Sequence, residues 1–113
     1  MREDVKHFLV DATGAEIKFS ILFKNGFGCE GEGKGKDGTT MKDLELTDGF
    51  VNLAGWDQVY DKKLSFELKT KKEGKFLEII YNDDEAKKNV AVLRMTYQGD
   101  DHWEASGTCH FKK

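Results

Sequence analysis

The sequence has no proline, two cysteines, and no apolar run approaching the roughly 18 residues that a membrane-spanning helix needs. No proline-rich linker divides it, and 113 residues amount to one domain, 1–113. Residues 1–10 carry Arg2, Glu3, Asp4 and Lys6 where a signal peptide would be apolar, so neither a leader nor a membrane is expected. Charge of one sign is also scarce: 18 Lys+Arg stand against 21 Asp+Glu, a net charge of −3. A DNA-binding face concentrates basic side chains, so nucleic acid is not an expected partner. The densest basic stretch, Lys69–Lys75, contains Glu73-Gly74 and reads as a solvated hairpin turn.

Catalytic signatures are missing too. There is no Walker A sequence, no H-E-x-x-H, no EF-hand loop and no N-x-[ST] sequon. Gly26–Gly31 satisfies G-x-G-x-x-G literally, but a dinucleotide fingerprint needs a strand entering and a helix leaving, and here strands flank both sides. Ser20, Ser65 and Ser106 fall on solvent faces of predicted strands. His110 follows Cys109, and adjacent strand residues point to opposite faces, so they form no thiolate–imidazole pair.

What the chain does have is alternation. Ile17, Phe19, Ile21 and Phe23 take one face of a strand while Glu16, Lys18, Ser20 and Lys24 take the other. Leu64–Thr70 and Ala91–Tyr97 alternate likewise, and further strands are expected at His7–Val10, Thr39–Thr47, Phe50–Ala54, Phe76–Tyr81 and Lys88–Tyr97. Turn signals separate them: Ala12-Thr13-Gly14, Asn25-Gly26, Asp37-Gly38, Asp48-Gly49, Glu73-Gly74, Asn82–Glu85 and Gly99–Asp101. No window carries a helical face. The fold class expected is all-β: a single antiparallel β-barrel or β-sandwich of about eight to ten short strands in largely meander order, with little or no helix.

One register can be chosen from sequence. A two-residue Asn25-Gly26 turn would put Glu30 and Glu32 on the face of Ile21 and Phe19, burying acids in a core. A three-residue loop with Gly26 left-handed pairs Phe23 with Phe27 and Ile21 with Cys29, and sets small glycines opposite Phe19 and Ile17. The second is expected. Over this stretch Glu30-Gly31-Glu32-Gly33-Lys34, with Gly38-Thr39 and Leu44 beyond, resembles a strand pair of the fluorescent-protein barrel. That resemblance implies a barrel hairpin and no function, since the chain has no X-Tyr-Gly tripeptide for a chromophore.

Cys29 and Cys109 both fall on inward faces and are a candidate disulfide if the third and last strands are neighbours or lie across a core from one another. Bonded, they would place the protein in a secreted or periplasmic compartment; as two buried thiols, in the cytoplasm. Both readings stay open from sequence.

The segment Gly55–Asp61 is the longest interval without clean alternation, and it mixes Trp56 and Tyr60 with Asp57 and Asp61. The function expected is a non-catalytic binding or interaction module. It would act through loops at one end of the fold on a protein partner, inhibitor-like or immunity-like, or on a small ligand. Trp56 and Tyr60 would serve as anchors and Asp57 and Asp61 as a polar rim, although Trp56 can equally plug the barrel. The alternatives are a small β-barrel enzyme using Glu30, Glu32, His102 or His110, and a ligand-carrying barrel with an interior void. No cofactor or fixed metal is expected. The acidic turns offer calcium ligands, since a strict meander puts Asp11, Asp37, Asp57, Asp61 and Asn82–Glu85 at one end.

Overall fold

The structure is a computed structural model that describes residues 1–42 and 44–113. Eight strands form one closed antiparallel barrel: β1 Arg2–Thr13, β2 Glu16–Phe23, β3 Gly28–Gly35, β4 Glu45–Leu53, β5 Lys63–Lys71, β6 Phe76–Asp83, β7 Lys88–Gln98 and β8 Glu104–Lys112. Around the barrel the order is β1-β2-β3-β8-β5-β6-β7-β4. Short turns join two three-stranded meanders, β1-β2-β3 and β5-β6-β7. The strand that follows each meander returns to lie beside its first strand, so the halves are Greek keys ordered β4-β1-β2-β3 and β8-β5-β6-β7.

The register chosen from sequence is the one observed. Ile21 pairs with Cys29 and Phe19 with Gly31, while the Phe23 amide donates to the Phe27 carbonyl at 2.8 Å and Gly26 has φ +93°. A Cβ at Gly31 would collide with the Phe19 ring, which is why this strand runs to glycine where it crosses a phenylalanine. Glu30 and Glu32 stay on the outer wall.

Two expectations are corrected by a single feature. Asp48-Gly49 is no turn: it lies inside β4, where the pairing with β7 slips between Leu46 and Gly49 as a β-bulge. Phe50–Ala54 and the end of Thr39–Thr47 are therefore one strand. Residues 39–42 are not strand, and Asp43 lies outside the described residues.

The bulge also decides which turns share an end. The first end holds the 13–16 turn, the 36–42 segment, the 72–75 turn and the 99–103 loop. The second holds the chain start, the 24–27 turn, the 54–62 loop, the 84–87 turn and Lys113. Counting a turn at Asp48-Gly49 reverses the direction of every later strand. Without it, Asp57, Asp61 and Asn82–Glu85 sit at the second end while Asp11 and Asp37 lie toward the first, so the acidic turns do not converge.

The lumen is full. Phe19, Phe23, Phe66, Tyr81, Trp103 and Phe111 are each no more than 4% exposed and occupy the space a ligand-carrying barrel would leave open. Cys29 and Cys109 lie in this core as free thiols on adjacent strands β3 and β8. The Cys29 thiol points to the Tyr81 hydroxyl at 3.8 Å. Burial first, and the adjoining Cys109 thiol second, push Cys29 well above the ordinary thiol value, so it stays protonated and a poor nucleophile.

Candidate functional site

The 54–62 loop closes the second end. A 3₁₀ turn at Trp56–Gln58 is tied by the Tyr60 and Val59 amides donating to the Trp56 carbonyl, at 2.8 and 3.2 Å. Val59 is fully buried, and the Asp61 amide reaches the Phe111 carbonyl of β8 at 3.4 Å. The loop is thus anchored to the barrel before and after its aromatic residues.

Trp56 is half-buried and meets Phe27 edge-on at 4.6 Å between ring centroids, Phe23 at 5.6 Å and Phe111 at 6.2 Å. It plugs the barrel end. Tyr60 lies outside this plug, 37% exposed, stacked over Phe27 at 6.3 Å with the Lys113 ammonium 5.2 Å from its ring. Asp57 is exposed, its carboxylate folded back over Gly55 and accepting from the Gln58 amide at 3.4 Å. Asp61 is exposed at the loop's edge with φ +60°. The four site residues expected from sequence therefore share one end, with Trp56 as foundation and Tyr60 as the presented ring.

From Asp61 a concavity of about 920 Å³ runs across the outer wall of β8, β3, β2 and β1. Glu30, His110 and Lys112 stand in it: Lys112 donates to Glu30 at 2.8 Å and the His110 ring approaches the same carboxylate at 3.9 Å. Lys112 holds the Glu30 carboxyl below its ordinary value. Ser20 and Lys63 line it further along.

His102 and His110 are not brought together. His102 precedes β8 at the first end, where its Nδ1 is 3.1 Å from the Thr70 hydroxyl and its Nε2 3.7 Å from Glu104. This hydroxyl, imidazole and carboxylate are in the order of a nucleophile, base and orienting group. The hydroxyl is spent structurally, however: Thr70 is 2% exposed and its Oγ1 accepts the Trp103 amide at 2.9 Å. Glu104 is engaged by Lys36 at 2.9 Å. Sequence reading missed this network because Thr70 and His102 are 32 residues apart and meet only through the β5–β8 pairing.

The barrel has solved counterparts. It is similar to the virulence-associated protein VapB of the intracellular pathogen Rhodococcus equi, with a TM-score of 0.77 and 14% identity over 98% of this chain and 95% of that one. It is likewise similar to the virulence-associated protein VapD of Rhodococcus equi, with a TM-score of 0.75 and 16% identity over 98% and 96%. At such identities the likeness is one of fold. No protein-family pattern matches the sequence, and no curated protein matches it. Among the described residues no helix is long and apolar enough to cross a membrane, and no group of three or more His, Cys, Asp and Glu side chains is placed to hold a metal ion.

Proposed function

We propose that this chain is a non-catalytic interaction module that engages a protein partner through the second end of the barrel, with Tyr60 as anchor and Asp57 and Asp61 as rim. The observation that carries this is Tyr60: a large amphipathic ring presented to solvent on an aromatic stack, beside a cation, in a loop hydrogen-bonded to the barrel. Such pre-organised aromatics give contact area at low entropic cost. The fold shared with two virulence-associated proteins is consistent with a non-catalytic module.

The test is affinity capture from the native source with wild type and Tyr60→Ala. The variant is expected to keep its circular dichroism and melting temperature while losing the partner. Capture undiminished by the variant removes the anchor. A small polar ligand in the outer-wall concavity is the second reading, favoured by a volume within the roughly 300–1,000 Å³ usual for ligand sites. It predicts loss on His110→Ala and indifference to Tyr60→Ala.

A further inference from the structure

Among the described residues four cations lie over aromatic rings. Arg2 is 3.9 Å from the Phe50 ring centroid, Arg94 5.3 Å from Phe76 and Lys75 5.4 Å from Tyr97, while the Lys113 ammonium is shared between two rings, Tyr60 at 5.2 Å and Phe27 at 5.9 Å. Three of the four are also held by a carboxylate: Arg2 by Asp4 at 3.5 Å, Arg94 by Glu78 at 3.1 Å and Lys75 by Asp100 at 3.8 Å. Lys113 differs. Among the described residues it makes no ion pair and no side-chain hydrogen bond, so ring faces alone hold its charge, and at an exposed site they hold it weakly.

The rings beneath it are fixed more firmly than the cation above. The Phe27 amide donates to Asn25 Oδ1 at 3.0 Å, its carbonyl accepts the Phe23 amide at 2.8 Å, and its ring meets Trp56 edge-on. Tyr60 is tied by its amide to the Trp56 carbonyl and lies 28° from parallel to the Phe27 ring. The pair is a preformed patch of ring face, and the quadrupole of such a face attracts positive charge. Asp57 and Asp61, on the same loop, are exposed and in no ion pair among the described residues. A guanidinium suits this combination better than an ammonium does. It can lie flat on a ring while its N–H fork donates to a carboxylate, and it is the more weakly hydrated of the two.

We propose that the Tyr60–Phe27 pair receives an arginine side chain of the protein partner, and that Lys113 is this chain's own placeholder, displaced when the arginine docks. The inference rests on the reading of Tyr60 as anchor and names what the ring anchors. Lys113 lowers the affinity by the fraction of molecules in which it covers the rings. The net charge of −3 favours approach of a basic surface.

The experiment is an NMR titration with Nα-acetylarginine amide and with its neutral isostere Nα-acetylcitrulline amide, followed at the Tyr60 and Phe27 ring protons. Arginine is expected to bind about 5-fold or more tighter than citrulline. Lys113→Met keeps an unbranched stem and removes the charge at an exposed position, and is expected to tighten arginine binding about 3-fold or more. Tyr60→Leu keeps apolar bulk without a ring, and is expected to abolish the preference for arginine while the circular dichroism is unchanged. Equal binding of the two amides, or arginine binding that Lys113→Met leaves unchanged or weakens, overturns the proposal. Partner capture separates this from the broader reading: capture that is lost in Tyr60→Ala, by a protein with no preference for arginine over citrulline, removes the arginine and keeps the partner.

Discussion

Each end of this barrel is closed by a tryptophan, and the two are held by different forces. Trp103 at the first end is 1% exposed, its indole N–H donating to the Lys42 carbonyl at 2.6 Å and its backbone amide to Thr70 Oγ1. The Lys42 amide in turn donates to Asp101 at 2.6 Å. Trp56 at the second end is half-buried and held by ring contacts alone among the interactions described for its side chain. Directed hydrogen bonds tolerate one geometry; stacked rings tolerate several. The tryptophan at the first end is therefore the more narrowly specified of the two, and the second end is the one proposed above to meet a partner.

The largest effect that tests this contrast is Trp103→Ala. It empties a buried site and strands the Lys42 carbonyl, and is expected to lower the unfolding free energy by about 3–5 kcal/mol in a urea titration. Trp56→Ala, at a half-exposed site, is expected to cost less than that. An equal or greater loss at Trp56 would break the comparison. Thr70→Val comes next. It keeps the shape but leaves the Trp103 amide without its acceptor, for about 1–3 kcal/mol by the same titration, with faster amide exchange confined to the 99–103 loop. Tyr60→Ala follows, expected to alter stability by less than about 0.5 kcal/mol as an exposed substitution while abolishing partner capture.

The contrast between the ends was only partly legible in sequence, for reasons that lie in particular residues. Alternation over 16–23 and 64–70 is a local signal and specified β2 and β5 directly. The β2–β3 register was legible because the competing one would have buried Glu30 and Glu32. Asp48-Gly49 defeated the same logic: a dipeptide that makes a turn in isolation is absorbed as a bulge when flanking residues pair on both sides with the same strand, β7. That one substitution of turn for bulge moved the acidic loops to the wrong end. Nothing local encodes that β8 slots between β3 and β5, so the meeting of Thr70 with His102 was out of reach. The 54–62 loop stood out because it breaks the alternation, which marks where a chain leaves the wall, and its role as plug follows from Phe23, Phe27 and Phe111 converging there.

The smallest expected effect is one in which the two ends behave alike. Glu104 at the first end is held below the ordinary carboxylate value by Lys36, and Glu30 toward the second end by Lys112, each with a histidine beside it. A carboxyl whose folded value is depressed adds stability in full above its unfolded value of about 4.3, and loses it as the pH falls through the lower folded value. Both pairs are largely in water, so screening keeps the contribution of Glu30 under about 0.5 kcal/mol. Glu30→Gln and Glu104→Gln should each lower the urea midpoint slightly at pH 7, with the difference shrinking as the pH falls through the lowered folded value of each carboxyl. A gap for Glu30 that persists after its carboxyl has been titrated would mean its oxygen acts through hydrogen-bond geometry and not through charge. The outer-wall concavity would then be a fixed polar site and not a solvated ion pair, which would strengthen the small-ligand reading against the Tyr60 one.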